Sequence, residues 1–253
     1  MSALFELSSD PAPPARRRQA VDVDALLAGL NPAQRAAVTH TGSPLLIVAG
    51  AGSGKTRVLT HRIAYLLAER GVQPGEVLAI TFTNKAAGEM KERVAHLVGN
   101  RARLMWVSTF HSACVRLLRA EHAHAGLKST FSIYDADDSR RLMTLVGREL
   151  DLDPKRHPAR SLAAQVSNLK NELIDAETFA RRADGPAERT LAEAYTLYQR
   201  RLGEAHALDF DDLIMTTVHL LQAFPAVAEH YRRRFRHVLV DEYQDTNHAQ
   251  YML

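Results

Sequence analysis

Cysteine is nearly absent: Cys114 is the only one in 253 residues. A single thiol excludes an internal disulfide framework and a cysteine-based zinc site, and it fits a reducing compartment. No apolar run approaches the length needed to cross a bilayer, and the start, Met1-Ser2-Ala3-Leu4-Phe5-Glu6, has no signal-peptide pattern. No membrane association and a cytoplasmic location are therefore expected. An excess of one charge is missing too. Lys and Arg number 32 against 29 Asp and Glu, for a net charge of +3, which permits nucleic-acid contact without indicating it. No internal repeat is present. Low complexity is confined to residues 1–20, where Pro11, Pro13, Pro14 and Arg16-Arg17-Arg18 predict a disordered tail. What remains is 46% hydrophobic, enough for one large domain or a domain with an insertion.

The strongest feature present is Ala49-Gly50-Ala51-Gly52-Ser53-Gly54-Lys55-Thr56, which follows the apolar run Leu45-Leu46-Ile47-Val48. A strand, a Gly-rich turn and a Lys-Thr pair opening a helix make up the phosphate-binding loop of nucleotide hydrolases. The glycines let backbone N–H groups face phosphate oxygens, Lys55 reaches the outer phosphates, and the Thr56 hydroxyl suits Mg²⁺. Ala49 stands where the usual pattern has its first glycine. ATP and Mg²⁺ are the expected ligands.

A second apolar run, His237-Val238-Leu239-Val240, leads directly into Asp241-Glu242-Tyr243-Gln244-Asp245-Thr246-Asn247. Carboxylates at the carboxyl end of a buried parallel strand sit where open α/β sheets hold their ligands. Asp241 is expected to complete the Mg²⁺ shell begun by Thr56. Glu242 is expected to orient, or take a proton from, the attacking water.

Along the chain, the helix after the loop carries Leu59, Ile63, Leu66 and Leu67 on one face and stops at Gly71. Val77–Phe82 and Leu104–Ser108 read as further strands, each followed by a helical stretch, which argues for a parallel sheet covered on both faces. From about Phe131 to Ala207 the spacing turns helical, with Leu162, Val166, Leu169 and Leu173 on one face and Leu191, Tyr195, Tyr198 and Leu202 on another. The expected organisation is therefore a tail over 1–20, an α/β domain over 21–130, an all-helical insertion over 131–207, and the α/β domain resumed over 208–253.

Five further segments carry a family resemblance: Leu30-Asn31-Pro32-Ala33-Gln34, Thr81-Phe82-Thr83-Asn84-Lys85-Ala86-Ala87, Ser108-Thr109-Phe110-His111, Leu208-Asp209-Phe210-Asp211-Asp212-Leu213 and the Asp241–Asn247 motif. With the phosphate loop, and in this order, they resemble the bacterial superfamily-one DNA helicases of the UvrD/PcrA/Rep type from Leu30 to Leu253. The resemblance implies a RecA-like P-loop fold with an all-helical insertion subdomain. It implies an ATP-hydrolysing DNA helicase that moves 3′ to 5′ on single-stranded DNA, or on duplex with a single-stranded tail, in repair or replication. Protein partners are not indicated.

The resemblance also assigns roles. Gln34 is similar to the adenine-reading glutamine, since an amide donates and accepts at once. Gln244 is similar to a residue that couples phosphate state to DNA. Arg57 is open to two readings, nucleotide contact or a solvated helix face. Phe82, Thr83, Asn84 and Lys85 resemble the single-strand contact segment, with an aromatic to stack on a base and polar groups for the backbone. Thr109, Phe110 and His111 are similar, with an internally hydrogen-bonded histidine that never touches DNA as the alternative for His111. Asp209, Asp211 and Asp212 read as helix capping plus DNA-side contacts rather than a metal cluster. Arg232-Arg233-Arg234 reads as a solvated face.

The family continues beyond the second carboxylate motif, with another strand and a second motor domain that supplies arginines to the transition state. The sequence here closes on Tyr251-Met252-Leu253, so an N-terminal fragment with little turnover of its own is expected. Two alternatives remain: a subunit of a recombination helicase–nuclease, or a non-catalytic nucleotide- or DNA-binding fragment.

Overall fold

The computed structural model describes residues 21–50 and 52–253. The tail expected over 1–20, and Ala51 of the phosphate loop, lie outside the described residues.

Helices α1 (Val23–Ala28) and α2 (Pro32–Thr39) lead to the long α3 (Lys55–Ala68). Strand β1 (Val77–Thr81) is followed by α4 (Asn84–Val98), β2 (Trp106–Thr109) and α5 (Phe110–Ala120). A short β3 (Ser132–Tyr134) opens a helical stretch of α6 (Ala136–Glu149), α7 (Ala159–Asn171), α8 (Ala176–Arg182) and α9 (Gly185–Glu204). Then β4 (Ala207–Asp209), α10 (Phe210–Ala223) and α11 (Pro225–Arg234) return the chain to β5 (His237–Val240), and α12 (His248–Met252) follows.

The strand–helix alternation produces a parallel sheet in the order β2-β1-β5. Register aligns the strands' carboxyl ends, because Ile80 lies between Ser108 and Val240. Phe82, Phe110 and Asp241 therefore leave the sheet at one edge, and the Asp241 N–H still donates to the Ile80 carbonyl at 2.9 Å. On one face, Ile63 and Leu67 of α3 pack with Met90 and Val94 of α4 and Ala79 of β1. Each of the large side chains among them, fully buried, contributes about 1.5–3 kcal/mol. Helix α3 stops as the sequence predicts: Gly71 adopts φ +66°, and the Val72 N–H reaches back to the Leu66 carbonyl at 3.1 Å.

Two expectations need correcting. The run Leu45–Val48 forms no strand and joins no ladder. Leu46 is 68% and Val48 87% exposed, and Ile47 alone of the run packs, beside Leu30, Val38 and Val58. An apolar run supplies β-propensity, but a strand also needs a neighbour's backbone in register. The second correction concerns the helical stretch. It is bracketed by a two-stranded parallel sheet, with Ser132 opposite Ala207 and Tyr134 opposite Asp209, so its entry and exit are zipped together.

Within that stretch the leucine and tyrosine faces become core as read. Leu162 and Val166 of α7 meet Leu191, Tyr195, Tyr198 and Leu202 of α9. Leu173 falls outside α7: it turns left-handed at φ 57°, and Ile174 donates back to Leu169 at 2.9 Å. No helix among the described residues is long and apolar enough to cross a membrane.

Candidate active site

Helix α3 begins at the end of the phosphate loop, where Gly54 takes φ +88° and caps it without a side chain. A side chain there would be strained, and an added Cβ would stand 3.1 Å from the Gln34 amide. Gly52 is also left-handed, at φ +73°. Ser53 folds back on the turn, its hydroxyl donating to the Gly50 carbonyl at 2.7 Å. Lys55 donates from Nζ to the carbonyls of Ala49 and Gly50 at 3.2 and 3.4 Å, so its ammonium lies within the loop. Gln34 bridges helix and loop: Oε1 accepts from the Asn31 N–H at 3.1 Å, and Nε2 donates to the Ser53 carbonyl at 3.0 Å.

The second carboxylate motif meets this loop directly. Thr56 Oγ1 donates to Asp241 Oδ2 at 3.4 Å. Burial pushes the Asp241 carboxyl above its usual range and the neighbouring Glu242 charge adds to this, while Thr56 and Lys55 pull it down. A cation there would relieve that penalty. A hydroxyl and a carboxylate facing each other are hard oxygen donors of the kind Mg²⁺ takes, its remaining ligands being commonly phosphates and water. Among the described residues no group of three or more His, Cys, Asp and Glu side chains converges, so no dedicated protein-only cage competes with that assignment.

Glu242 itself is exposed and adopts φ 52°, ψ 45°. A left-handed conformation in a non-glycine residue costs on the order of 1–3 kcal/mol and must be held by its surroundings. The turn after it does so: Asp245 N–H donates to the Glu242 carbonyl at 3.0 Å, and Thr246 N–H to Tyr243 at 3.2 Å. Gln244 Nε2 donates to Glu242 Oε2 at 2.6 Å. The Arg57 guanidinium lies beside Gly29 at the end of α1, where an added Cβ would stand 2.5 Å from it, while the Arg57 Cβ would stand 3.8 Å from a Cβ added at Gly54 of the loop.

At the same sheet edge sits an aromatic face. Phe82, just past β1, is 36% exposed and meets Phe110 edge-on, with ring centroids 5.6 Å apart. Thr83 caps α4, accepting from the Ala86 N–H at 3.1 Å, and Asn84 and Lys85 are exposed in the first turn. Of the segment after β2, Thr109 and Phe110 are buried, at 7% and 6% exposure. Thr109 caps α5 by accepting from Ser112, so these two underlie the surface rather than form it. His111 is half-buried beside Phe210, centroids 5.2 Å apart. Burial lowers its pKa, which keeps the ring neutral near pH 7.

Phe210 was not singled out by sequence, yet it is 46% exposed and extends this face. Its neighbours explain why. Asp209 caps α10 and accepts from the Asp212 N–H at 2.8 Å, and Asp212 reciprocates. Both carboxylates turn inward to Lys170, at 2.6 and 2.8 Å from Nζ. The expected capping is thus present, while a DNA-side role for Asp209 and Asp212 is corrected: they are buried and engaged. Burial opposes the Lys170 charge, but Asp212 and Asp209 outweigh it and raise its pKa. Tyr198 OH donates to Asp209 at 2.9 Å. No motif pointed to Lys170; its one signal was a charge on the apolar side of α7. Arg232, Arg233 and Arg234 are exposed as read, with Arg234 also lying over the Trp106 ring at 4.8 Å.

Comparison with known proteins identifies the family. A family profile described as the UvrD/REP helicase N-terminal domain matches residues 30–253. The chain is 67% identical over 235 residues to the ATP-dependent DNA helicase UvrD1 of Mycobacterium tuberculosis, covering 91% of this chain and 30% of that protein. It is 64% identical over 237 residues to UvrD1 of Mycobacterium leprae, covering 92% of this chain and 30% of the relative. Over 228 residues it is 53% identical to the ATP-dependent DNA helicase PcrA of Bacillus subtilis, covering 90% and 31%. The chain thus spans about 30% of the length of these relatives.

Proposed function

Because the chain belongs to the UvrD/REP helicase family, matching its N-terminal domain, we propose that it is the first motor domain of an ATP-dependent DNA helicase. In this reading the β2-β1-β5 sheet is a RecA-like core and the stretch 131–207 is its inserted subdomain. The parent protein moves 3′ to 5′ on single-stranded DNA, acts in repair or replication, and is cytoplasmic. The observation that carries the reading is the 3.4 Å contact between Thr56 and Asp241, which joins two motifs 185 residues apart into one site.

Each residue then has a task. Backbone N–H groups of Gly50, Gly52, Ser53 and Gly54, with Ala49 and Ala51 completing the loop, cradle the phosphates, and Lys55 shifts from the loop's own carbonyls to the outer phosphate oxygens. Thr56 and Asp241 hold Mg²⁺, which supplies charge neutralisation across the phosphates when bound. Glu242, exposed and backed by Gln244, accepts the proton of the attacking water. Gln34 trades its contact with Ser53 for the adenine edge, and Arg57, just past the loop, contacts the nucleotide. Single-stranded DNA runs over Phe82, Thr83, Asn84, Lys85 and His111, with Phe110 and Thr109 supporting them from below. Bases stack on the exposed rings, and Lys85 meets a phosphate.

A lone motor domain offers half a cleft, open to water, so its contacts to the γ-phosphate are screened. Arginines supplied by a facing domain are worth roughly 10³–10⁵ in rate in comparable phosphoryl transfers. The 253-residue chain by itself therefore binds ATP weakly, turns it over slowly and unwinds nothing. The test compares DNA-stimulated ATP turnover by residues 1–253 with that of the full-length protein. Equal turnover would contradict the half-cleft account, and no turnover in either would contradict the helicase reading.

A further inference from the structure

Two side chains at the end of α7 lie outside every motif and yet touch both halves of the site. Lys170 contacts Asp209 and Asp212, the residues that flank the exposed Phe210. Asn171, its neighbour, accepts from Asn247 Nδ2 through Oδ1 at 2.6 Å. Asn247 ends the loop that begins with Asp241 and Glu242, and it also caps α12, its Oδ1 accepting from the Gln250 N–H at 2.8 Å. We propose that this last turn of α7 is a positioning element that ties the carboxylate loop to the aromatic face, so that a change at Glu242 is transmitted to Phe210. The inference rests on the helicase reading above and names how its two halves communicate.

The geometry supports a stiff connection at each link. The loop from Glu242 to Asn247 is held by consecutive turns, and Thr246 Oγ1 donates to the Tyr243 carbonyl at 2.8 Å. The turn of α7 is fixed at its end, where the Glu172 N–H reaches the carbonyls of Asn168, Leu169 and Lys170, and Leu173 is left-handed. Lys170 is 1% exposed, with its ammonium also 5.0 Å from the Tyr198 ring centroid. A buried ion cluster is a poor source of stability, because apolar packing of equal volume commonly serves as well. It does fix direction: an ammonium held by the N-cap carboxylate of α10 and by the carboxylate three residues on leaves the first turn of α10 little freedom to rotate, and Phe210 lies between those two residues in sequence. Coupling of this kind needs a contiguous physical network with a biased element at each end. The loop that begins at the left-handed Glu242 lies at one end of this network and the aromatic face around Phe210 at the other.

Three substitutions in the full-length protein separate this role from a merely structural one. Asn171→Ala removes the acceptor. Asn171→Asp keeps an acceptor for Asn247 Nδ2 and is the conservative rescue. Asn247→Asp keeps the helix cap but sets an acceptor against Asn171 Oδ1. The readout is the ratio of single-stranded DNA affinities with and without Mg²⁺ and a non-hydrolysable ATP analogue, beside ATP turnover with and without DNA. Expected is a ratio that collapses toward one in Asn171→Ala and Asn247→Asp, by about fivefold or more, with nucleotide-free DNA affinity and DNA-free turnover unchanged in Asn171→Ala. Asn171→Asp should keep the wild-type ratio. A wild-type ratio in Asn171→Ala, or parallel loss of every activity with the ratio intact, overturns the relay. A wild-type protein whose turnover DNA does not stimulate overturns the helicase reading instead.

Discussion

The phosphate side and the aromatic side of the site are held in opposite ways. Lys55 and Thr56 stand at the head of α3 behind a loop whose preceding segment joins no sheet, with Val48 87% exposed. Their contacts are to nearby backbone, apart from the single reach to Asp241. The aromatic side is anchored from beneath by Lys170, Asp209, Asp212 and Tyr198, all buried and mutually bonded. A local backbone motif forms the first, and its contacts stay within a few residues. Distant side chains form the second and fix it in advance.

That contrast predicts unequal costs. Lys170→Ala leaves two buried carboxylates without their cation and should destabilise the fold by about 3–5 kcal/mol, as other broken buried pairs do; denaturant unfolding of the chain measures it. A loss under about 1 kcal/mol would mean that water already shares the cluster. Next in size, Phe82→Ala should weaken single-stranded DNA binding by about 1–3 kcal/mol, the usual cost of one stacked base. Unchanged affinity would remove Phe82 from the DNA face.

A pH effect sharpens the same comparison. Burial, with the Asp209 charge adding to it against Lys170, pushes the Asp212 carboxyl up to about 6 from an ordinary 3.8. Between those values the folded chain holds a proton that the unfolded chain has released. This contribution to stability is therefore full below about pH 4 and lost as pH rises through about 6. Asp209, held low by Lys170 despite its burial, works in the opposite sense at lower pH. The melting temperature of Asp212→Asn relative to wild type should accordingly rise between pH 4 and pH 7, and a constant difference would contradict the assignment. The smallest effect belongs to the phosphate side: Lys55→Ala should change stability by no more than about 0.5 kcal/mol, although it removes the ammonium proposed to carry turnover.

How far the sequence could be read follows from the same distinction. The phosphate loop was legible because its chemistry is local, with glycines, Lys55 and Thr56 adjacent in the chain. The β1 and β2 runs and the apolar faces of α3, α7 and α9 were legible for the same reason, since period alone marks them. Leu45–Val48 misled because apolar character marks a candidate strand, whereas pairing is decided by a distant neighbour. Phe110 and Phe82 look alike in their motifs, and only the fold shows that one ring underlies the other. Lys170 was not legible at all. A lysine on a helix is most often solvated, and its partners Asp209 and Asp212 lie 39 and more residues away.

The central claim is that one catalytic site joins Lys55 and Thr56 to Asp241 and Glu242. Its most direct test is nucleotide binding and DNA-stimulated turnover measured together in full-length Glu242→Gln. The substitution removes the water-activating charge and leaves the phosphate loop intact, so affinity for Mg²⁺-ATP should be retained while turnover falls by about 10²-fold or more. Turnover near the wild-type rate, or loss of nucleotide binding in step with turnover, would contradict the site as assigned.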